Sequence, residues 1–261
     1  MPKLKDRLAR GETTMILGVG RAMHYNFLQV VGLTGGYHGV WFDMEHVGLT
    51  TEQLEVAALA CRAVGLESFC RVAPTDYALV TRCLEAGSDG VMAAQIYSAK
   101  QAEEFVKWAK FAPRGYRGLN TSGWDARFTT IPAAQFCPKA NAETLVMIQI
   151  ETLGAVEECD AIAAIDGVDG LFIGPSDLSQ SLGVTGDFFH EKCLAAIDRV
   201  SAACRKHGKG LAAVTFTPKH AQMLHDKGCR MFSPTNDVRI MIAGLQSVRN
   251  DFDSFFKEAQ G

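Results

Sequence analysis

The sequence predicts a single (β/α)8 barrel spanning residues 1–261, and three observations carry that reading. Strand-like and helix-like segments alternate along the whole chain, eight times. The stretches AGSDGVMA (86–93), IDGVDGLFIG (165–174) and KGCRMFSPTN (227–236) echo one another, each placing a Gly-containing turn before a short apolar strand with a polar end. The length of 261 residues suits one such barrel better than two domains.

The elements follow in order. MPKLKDRLARGE at the start is amphipathic and charged, without the apolar core of a leader peptide. Short, apolar, β-branched runs predict strands near 14–19, 38–43, 67–72, 89–93, 144–150, 169–173, 210–215 and 229–233, each followed by apolar residues at helical spacing. Gly174 and Pro175 end the sixth strand, and Ser176 is a good residue to cap the next helix. One long interruption, Phe111 to Asn141, follows the fourth strand; a lid or substrate loop on the catalytic face is the expectation. Residues 238–259 read as a long final helix with an aromatic end (Phe252, Phe255, Phe256), the kind of patch that marks an oligomer contact.

Composition narrows the function. The chain is 48% hydrophobic and 21% charged with a net charge of −3, and its basic residues are scattered, so neither nucleic acid nor an acidic membrane surface is an expected partner. No run of about 18 apolar residues occurs to span a membrane. Eight cysteines form no CxxC pair and several sit in apolar-patterned segments, which points to free thiols in a reducing cytoplasm. No P-loop, GxGxxG, GxSxG or HExxH motif is present, leaving nucleotide, serine-hydrolase and zincin chemistries without a foothold.

The chemistry concentrates where predicted strands end. Glu151 and Asp177 each stand at the far end of an apolar strand, the edge of a barrel where reactions occur. Two hard oxygen ligands on rigid elements suit Mg²⁺ or Mn²⁺, and Co²⁺ or Zn²⁺ are compatible, with water and substrate completing the shell. Backbone N–H groups around Gly174, Ser176 and Asp177 offer a place for a substrate carboxylate. The alternative is that both acids only cap the helices that follow them. WFDMEHVGLT (41–50) gathers Asp43, Glu45 and His46 as the chain leaves the second strand, and His46 is the candidate general acid or base, against a plain loop histidine. Arg71 ends the third strand, where a guanidinium would stabilise an enolate or carboxylate oxygen. Gln149 shares a strand face with Glu151 and is placed to bond a ligand or to orient Arg71. Arg114 and Arg117 in the interruption are either anion contacts or solvated charges. Lys219, the one lysine near a strand exit that a Schiff-base aldolase would use, sits in a first helical turn as an ordinary solvated lysine.

On DMEH (43–46), the arginine of CRVAP (70–74), APRGYRG (112–118), IQIET (148–152) and GVDGLFIGPSDLS (167–179), nearly the whole chain resembles the HpcH/HpaI aldolases, divalent-metal-dependent pyruvate aldolases. That resemblance implies a barrel of the phosphoenolpyruvate/pyruvate type and retro-aldol cleavage of a 4-hydroxy-2-oxo acid to pyruvate and an aldehyde. It implies that Glu151 and Asp177 bind the metal, that Arg71 steadies the enolate, and that His46 is the base in a dyad with an acid matched here by Glu85, where relatives usually carry Asp. Asp43 joins these as a catalytic candidate. It implies, too, a homo-hexamer whose final helix is exchanged between neighbours. The chain departs from relatives at LGVGRAMHYN (17–26), where they commonly carry Trp, and at AAQIY (93–97). His24 and Tyr25 are therefore expected to reshape the aldehyde pocket. Two rivals stand beside this reading: a lyase on the same barrel handling phosphoenolpyruvate or a CoA ester, and a non-catalytic barrel that binds a keto acid. The absence of a basic loop for a nucleotide tail weighs against the CoA ester.

Overall fold

The computed structural model describes residues 2–259. Helix α1 (Leu4–Ala9) precedes β1 (Thr14–Val19), α2 (Tyr25–Thr34), β2 (Gly39–Asp43), α3 (Thr51–Ala63), β3 (Glu67–Val72), α4 (Tyr77–Glu85) and β4 (Gly90–Ala93). Then come α5 (Ala99–Ala109), α6 (Ala133–Glu143), β5 (Leu145–Ile150), α7 (Leu153–Glu157), α8 (Cys159–Ala164), β6 (Gly170–Ile173) and α9 (Pro175–Ser181). The chain closes with α10 (Glu191–His207), β7 (Gly210–Val214), α11 (Pro218–Asp226), β8 (Met231–Ser233), α12 (Asp237–Asp251) and α13 (Asp253–Glu258). All eight expected strands are present within two residues of their expected bounds, and they pair in parallel, in order, into a closed barrel.

Two apolar layers result from the pleat. Residues facing outward, such as Val40, Phe42, Cys70, Ile148 and Ile150, pack under the helices. Inward-facing Ile16, Trp41, Phe69, Met92, Met147 and Phe172 fill the barrel, and Leu4 and Leu8 of α1 plug its N-terminal end. Close approach explains glycine there: a Cβ on Gly39 would stand 2.8 Å from Leu4 Cδ1, and one on Gly170 would stand 2.9 Å from Leu8 Cδ2.

The same end holds a half-buried acid. Glu67, at the start of β3, accepts the N–H of Leu4, and burial, reinforced by the neighbouring Asp89 carboxyl, pushes it up to about 7. Its folded-state affinity for the proton exceeds that of an open chain, so stability falls as pH rises toward 7. Glu67→Gln keeps the acceptor and removes the charge. Thermal melts from pH 5 to pH 8 should show the variant gaining on the wild type as pH rises; parallel curves would contradict this.

Two segments depart from expectation. Residues 110–132 follow α5, not β4 directly, so they belong to the connection that returns to the N-terminal end of the barrel, opposite the catalytic edge. There Trp124 donates its backbone N–H to Glu85 O at 2.9 Å, and its ring lies 4.1 Å from the guanidinium carbons of both Arg62 and Arg127. The segment runs along α4, Gly118 donating its N–H to Tyr77 Oη at the start of that helix at 2.5 Å, and none of its residues lines a cleft of the mouth of its own chain. Two of its arginines are not solvated charges: Arg117 is buried against Asp125 and Phe111, and Arg114 pairs with Glu103 at 2.8 Å. In the second, the expected single long helix divides at Phe252 into α12 and α13. It does not fold back over the barrel; every residue from 241 to 259 is exposed, with Leu245 72% and Phe255 68% accessible.

No helix of the described residues is long and apolar enough to cross a membrane. The eight cysteines are free, and burial pushes Cys61 and Cys204 up to about 12, consistent with inert packing thiols.

Candidate active site

The C-terminal ends of β2, β3, β5 and β6 bring most of the candidate residues to one mouth. Asp43 and Arg71 are paired in the β2–β3 register, and their side chains meet: Arg71 Nη2 lies 2.8 Å from Asp43 Oδ2, and Nη1 lies 3.3 Å from Glu45 Oε2. The guanidinium carbon sits 4.8 Å above the Trp41 ring, whose indole N–H donates to Ser233 Oγ at 2.9 Å. Arg71 is thereby held on three sides and almost buried, with little freedom to lose on binding an anion. Asp43 Oδ1 accepts the N–H groups of Glu45 and His46, both at 3.1 Å, which shapes the loop that carries them. Burial alone would raise the Asp43 carboxyl, but the Arg71 charge and these donors outweigh it and hold it below its usual range.

Glu151 is the most buried acid of the mouth, 1% accessible. Oε1 accepts the backbone N–H of Gln95 at 2.8 Å, and Gln95 reaches that position through a left-handed backbone with φ of 49°. Oε2 accepts from Gln149 Nε2 at 2.5 Å. Gln149 thus steadies Glu151, whereas the sequence left open whether it served a ligand or Arg71; its Oε1 is buried with no hydrogen-bond partner. Gly174 makes room for this pair, since any Cβ there would collide with Glu151 Oε2. Burial pushes Glu151 up to about 7, the Glu45 and Asp177 carboxylates adding to the rise while the Gln95 N–H and Arg71 oppose it. Asp177, half-buried on α9, lines the same cleft as Glu151, together with Gln95 and Tyr97.

Several expectations change. Ser176 does not cap α9: Gly174 occupies the cap position and Pro175 the first helical position, leaving Ser176 exposed in the first turn. His46 is 61% accessible, and the acid beside it is Glu45, with Nε2 and Oε2 3.7 Å apart. Glu85 does not meet it within one chain. An α4 that leaves the mouth after β3 must return to the opposite end, and its last residue, Glu85, accepts there from Asn120 Nδ2 at 3.1 Å. His24 caps α2 by accepting the N–H of Asn26 at 3.2 Å, and Tyr25 is exposed beside it; neither lines the clefts of the mouth. Lys219 is exposed, its ammonium 5.2 Å from the Phe189 ring.

Sequence reasoning missed three contributors. Trp41, the platform of Arg71, reads as core. Gln95 contributes a backbone N–H that no side-chain pattern announces. Asp237, buried at the start of α12, accepts the N–H groups of Gly20 and Ala22 at 2.9 and 2.7 Å and so ties the loop after β1 to β8. An acid directly after Asn236 at a helix start was its only signal. Among the described residues no three His, Cys, Asp or Glu side chains gather as a ready-made metal cage.

A parallel barrel with paired acids and a fixed arginine at its C-terminal mouth defines an enzyme of the α/β-barrel class. The chain belongs to the HpcH/HpaI aldolase/citrate lyase family, whose sequence model matches residues 30–243. It is 27% identical to a 5-keto-4-deoxy-D-glucarate aldolase of Klebsiella pneumoniae over 86% of both chains. It is 31% identical to a 2-dehydro-3,6-dideoxy-6-sulfogluconate aldolase of Pseudomonas putida over 80% of this chain and 81% of that one. In structure it resembles an HpcH/HpaI aldolase of Desulfitobacterium hafniense, with a TM-score of 0.86, 26% identity and coverage of 94% and 96%. The relatives are aldolases, and the protein is accordingly a carbon–carbon lyase.

Proposed function

We propose that the protein is a class II pyruvate aldolase that cleaves a 4-hydroxy-2-oxo acid, reversibly, to pyruvate and an aldehyde, with a divalent cation held by Glu151 and Asp177. The observation that carries this is the burial of Glu151. A carboxylate 1% accessible, raised by burial and by two neighbouring acids, with an orphaned Gln149 oxygen beside it, is a site short of positive charge. Two protein carboxylates fit a hard cation that keeps positions for water and substrate. When bound, such an ion supplies Lewis-acid polarisation of the 2-oxo group. Mg²⁺, Mn²⁺, Co²⁺ and Zn²⁺ all satisfy this donor set.

The remaining steps belong to side chains. His46 accepts the proton of the 4-hydroxyl group, the C3–C4 bond breaks with its electron pair passing to C3, and the aldehyde leaves. Arg71, already aligned by Asp43 and Trp41, neutralises the oxygen charge that develops on the enolate. Protonation at C3 completes pyruvate. His46 stays exposed in one chain, so a neighbouring subunit is the natural source of further shielding.

Assembly belongs to the same proposal: a homo-oligomer, a hexamer by family resemblance, in which α12 and α13 pack on neighbours. The support is an apolar face (Met241, Ile242, Leu245, Val248, Phe252, Phe255) that is 42–72% exposed. Leu245→Asp combined with Phe255→Asp should lower the particle mass measured by light scattering; an unchanged mass would remove these helices from the interface.

The test of activity needs no aldehyde. Pyruvate is incubated in D₂O with Mn²⁺ or Mg²⁺, or with EDTA, and its methyl protons are followed by NMR. Cation-dependent exchange is expected. Exchange that survives EDTA would redirect attention to Lys219 and a Schiff base.

A further inference from the structure

His46, the base of the reaction proposed above, stands on an exposed loop, and a reacting group on a loop works only if something holds it. One side of the hold is Asp43, whose Oδ1 accepts the N–H groups of Glu45 and His46. The other side comes from the loop after β1. Arg21 Nη2 donates to the carbonyl oxygen of His46 at 2.9 Å. Gly20 packs so closely that a Cβ there would stand 2.9 Å from Val47 Cγ2 and 3.4 Å from Asp43 Cβ. His46 is thus gripped at its N–H by the last residue of β2 and at its carbonyl by the loop after β1.

That loop depends in turn on Asp237. Its Oδ2 accepts from Gly20 at 2.9 Å and from Ala22 at 2.7 Å, on both sides of Arg21, and its Oδ1 accepts from Val238 at 2.9 Å. Asp237 is 3% accessible, and among the described residues its hydrogen-bond partners are all backbone N–H groups. Capping the helix does not explain this burial, because Asn236 already caps α12 by accepting the Arg239 N–H at 2.9 Å. A second carboxyl at that helix start is desolvated at a cost, and its Oδ2 serves a loop from the other end of the chain. Gly20, Arg21, Asp43, His46 and Asp237 line one cleft between β1, β2 and β8.

Resting on the aldolase reading above, we propose that Asp237 is a positioning residue for the reaction: through Gly20, Ala22 and Arg21 it sets the loop that carries His46 and so directs the imidazole at the 4-hydroxyl proton. Among the described residues no hydrogen bond joins Asp237 to Arg71, Glu151 or Asp177. The pyruvate half of the site therefore stands without it.

Two reactions of one protein separate this role from a general weakening. Cleavage needs a base at the 4-hydroxyl group; exchange of the methyl protons of pyruvate, which has no such group, does not. The full-length wild type, Asp237→Asn, Arg21→Ala and Arg21→Lys are compared with Mg²⁺ present, by pyruvate release from 4-hydroxy-2-oxopentanoate and by pyruvate methyl exchange in D₂O. Asp237→Asn should lower kcat for cleavage by about 10- to 100-fold, the scale of a displaced reacting group, with KM and exchange unchanged. Arg21→Ala should lose about 5-fold in the same kcat, the scale of one hydrogen bond, and Arg21→Lys, which keeps a donor for the His46 carbonyl, should recover most of it. Amide deuterium uptake, read by mass spectrometry without substrate, should rise in Asp237→Asn at residues 18–24 and also at residues 44–48. A rise at 18–24 alone, an unchanged kcat, or cleavage and exchange falling together overturns the assignment. If Asp237→Asn does not fold, the Arg21 pair decides, and wild-type cleavage by Arg21→Ala overturns it. A wild type that exchanges pyruvate protons but cleaves nothing removes the base role from His46 and this inference with it, whereas a wild type without exchange sinks the aldolase reading itself.

Discussion

Glu151→Gln should lose cation-dependent exchange of the pyruvate methyl protons by on the order of 10³ or more, without losing the fold. Glutamine preserves the shape of the side chain and still offers an oxygen to the Gln95 N–H, which Glu151 accepts at 2.8 Å. What disappears is a buried negative charge crowded by Glu45 and Asp177. Without a cation that charge is a cost to the folded state, so the variant should melt at the same temperature as the wild type or higher when both are in EDTA. With Mn²⁺ added, only the wild type should gain thermal stability, because a ligand that binds the native state raises its melting point. Normal exchange in Glu151→Gln would end the two-carboxylate reading. A variant that melts lower in EDTA would mean that Glu151 serves packing first.

Strands were legible because a barrel strand is buried on both faces, so VMIQI and GLFI announce themselves as short, mainly apolar runs. The two metal-site candidates were legible for the same reason: each is the first acid after such a run. Placement of the long interruption was not. AKQAEEFVKWA forms α5 between β4 and the interruption, so residues 110–132 start from the end of that helix, and none of them lines a cleft of the mouth of its own chain. Glu85 met a similar limit: a position matched by family pattern fixes where a residue falls in the chain, but the direction of α4 carries it away from the His46 of the same chain. Contacts between loops were beyond reach altogether. Nothing in TFTPKH or PTNDVR says that Phe216 and Arg239 will stack, since that depends on how the loop after β7 meets the first turn of α12.

Arg71→Ala should lower kcat for cleavage and for exchange by about 10² to 10³, the loss that follows removal of one preorganised oxyanion donor. Two effects would be mixed in that number. Arg71 also neutralises Asp43 and Glu45, whose side chains are only 16% and 11% accessible, and deleting it leaves both charges unpaired, Glu45 in the neighbourhood of Glu151. The Asp43 carboxyl, which Arg71 holds low, would rise, and the loop carrying His46 would lose its anchor. Arg71→Lys separates the two. Lysine restores a positive charge to the acids and with it most of the thermal stability, yet it cannot lie flat on Trp41 while pairing with Asp43, pairing with Glu45 and reaching a substrate oxygen. The lysine variant should therefore be stable and still slow, by about 10-fold or more relative to wild type. If it is stable and fast, charge alone suffices and the fork geometry is incidental. If the alanine variant keeps a near-normal kcat, Arg71 organises the mouth and takes no part in stabilising the enolate.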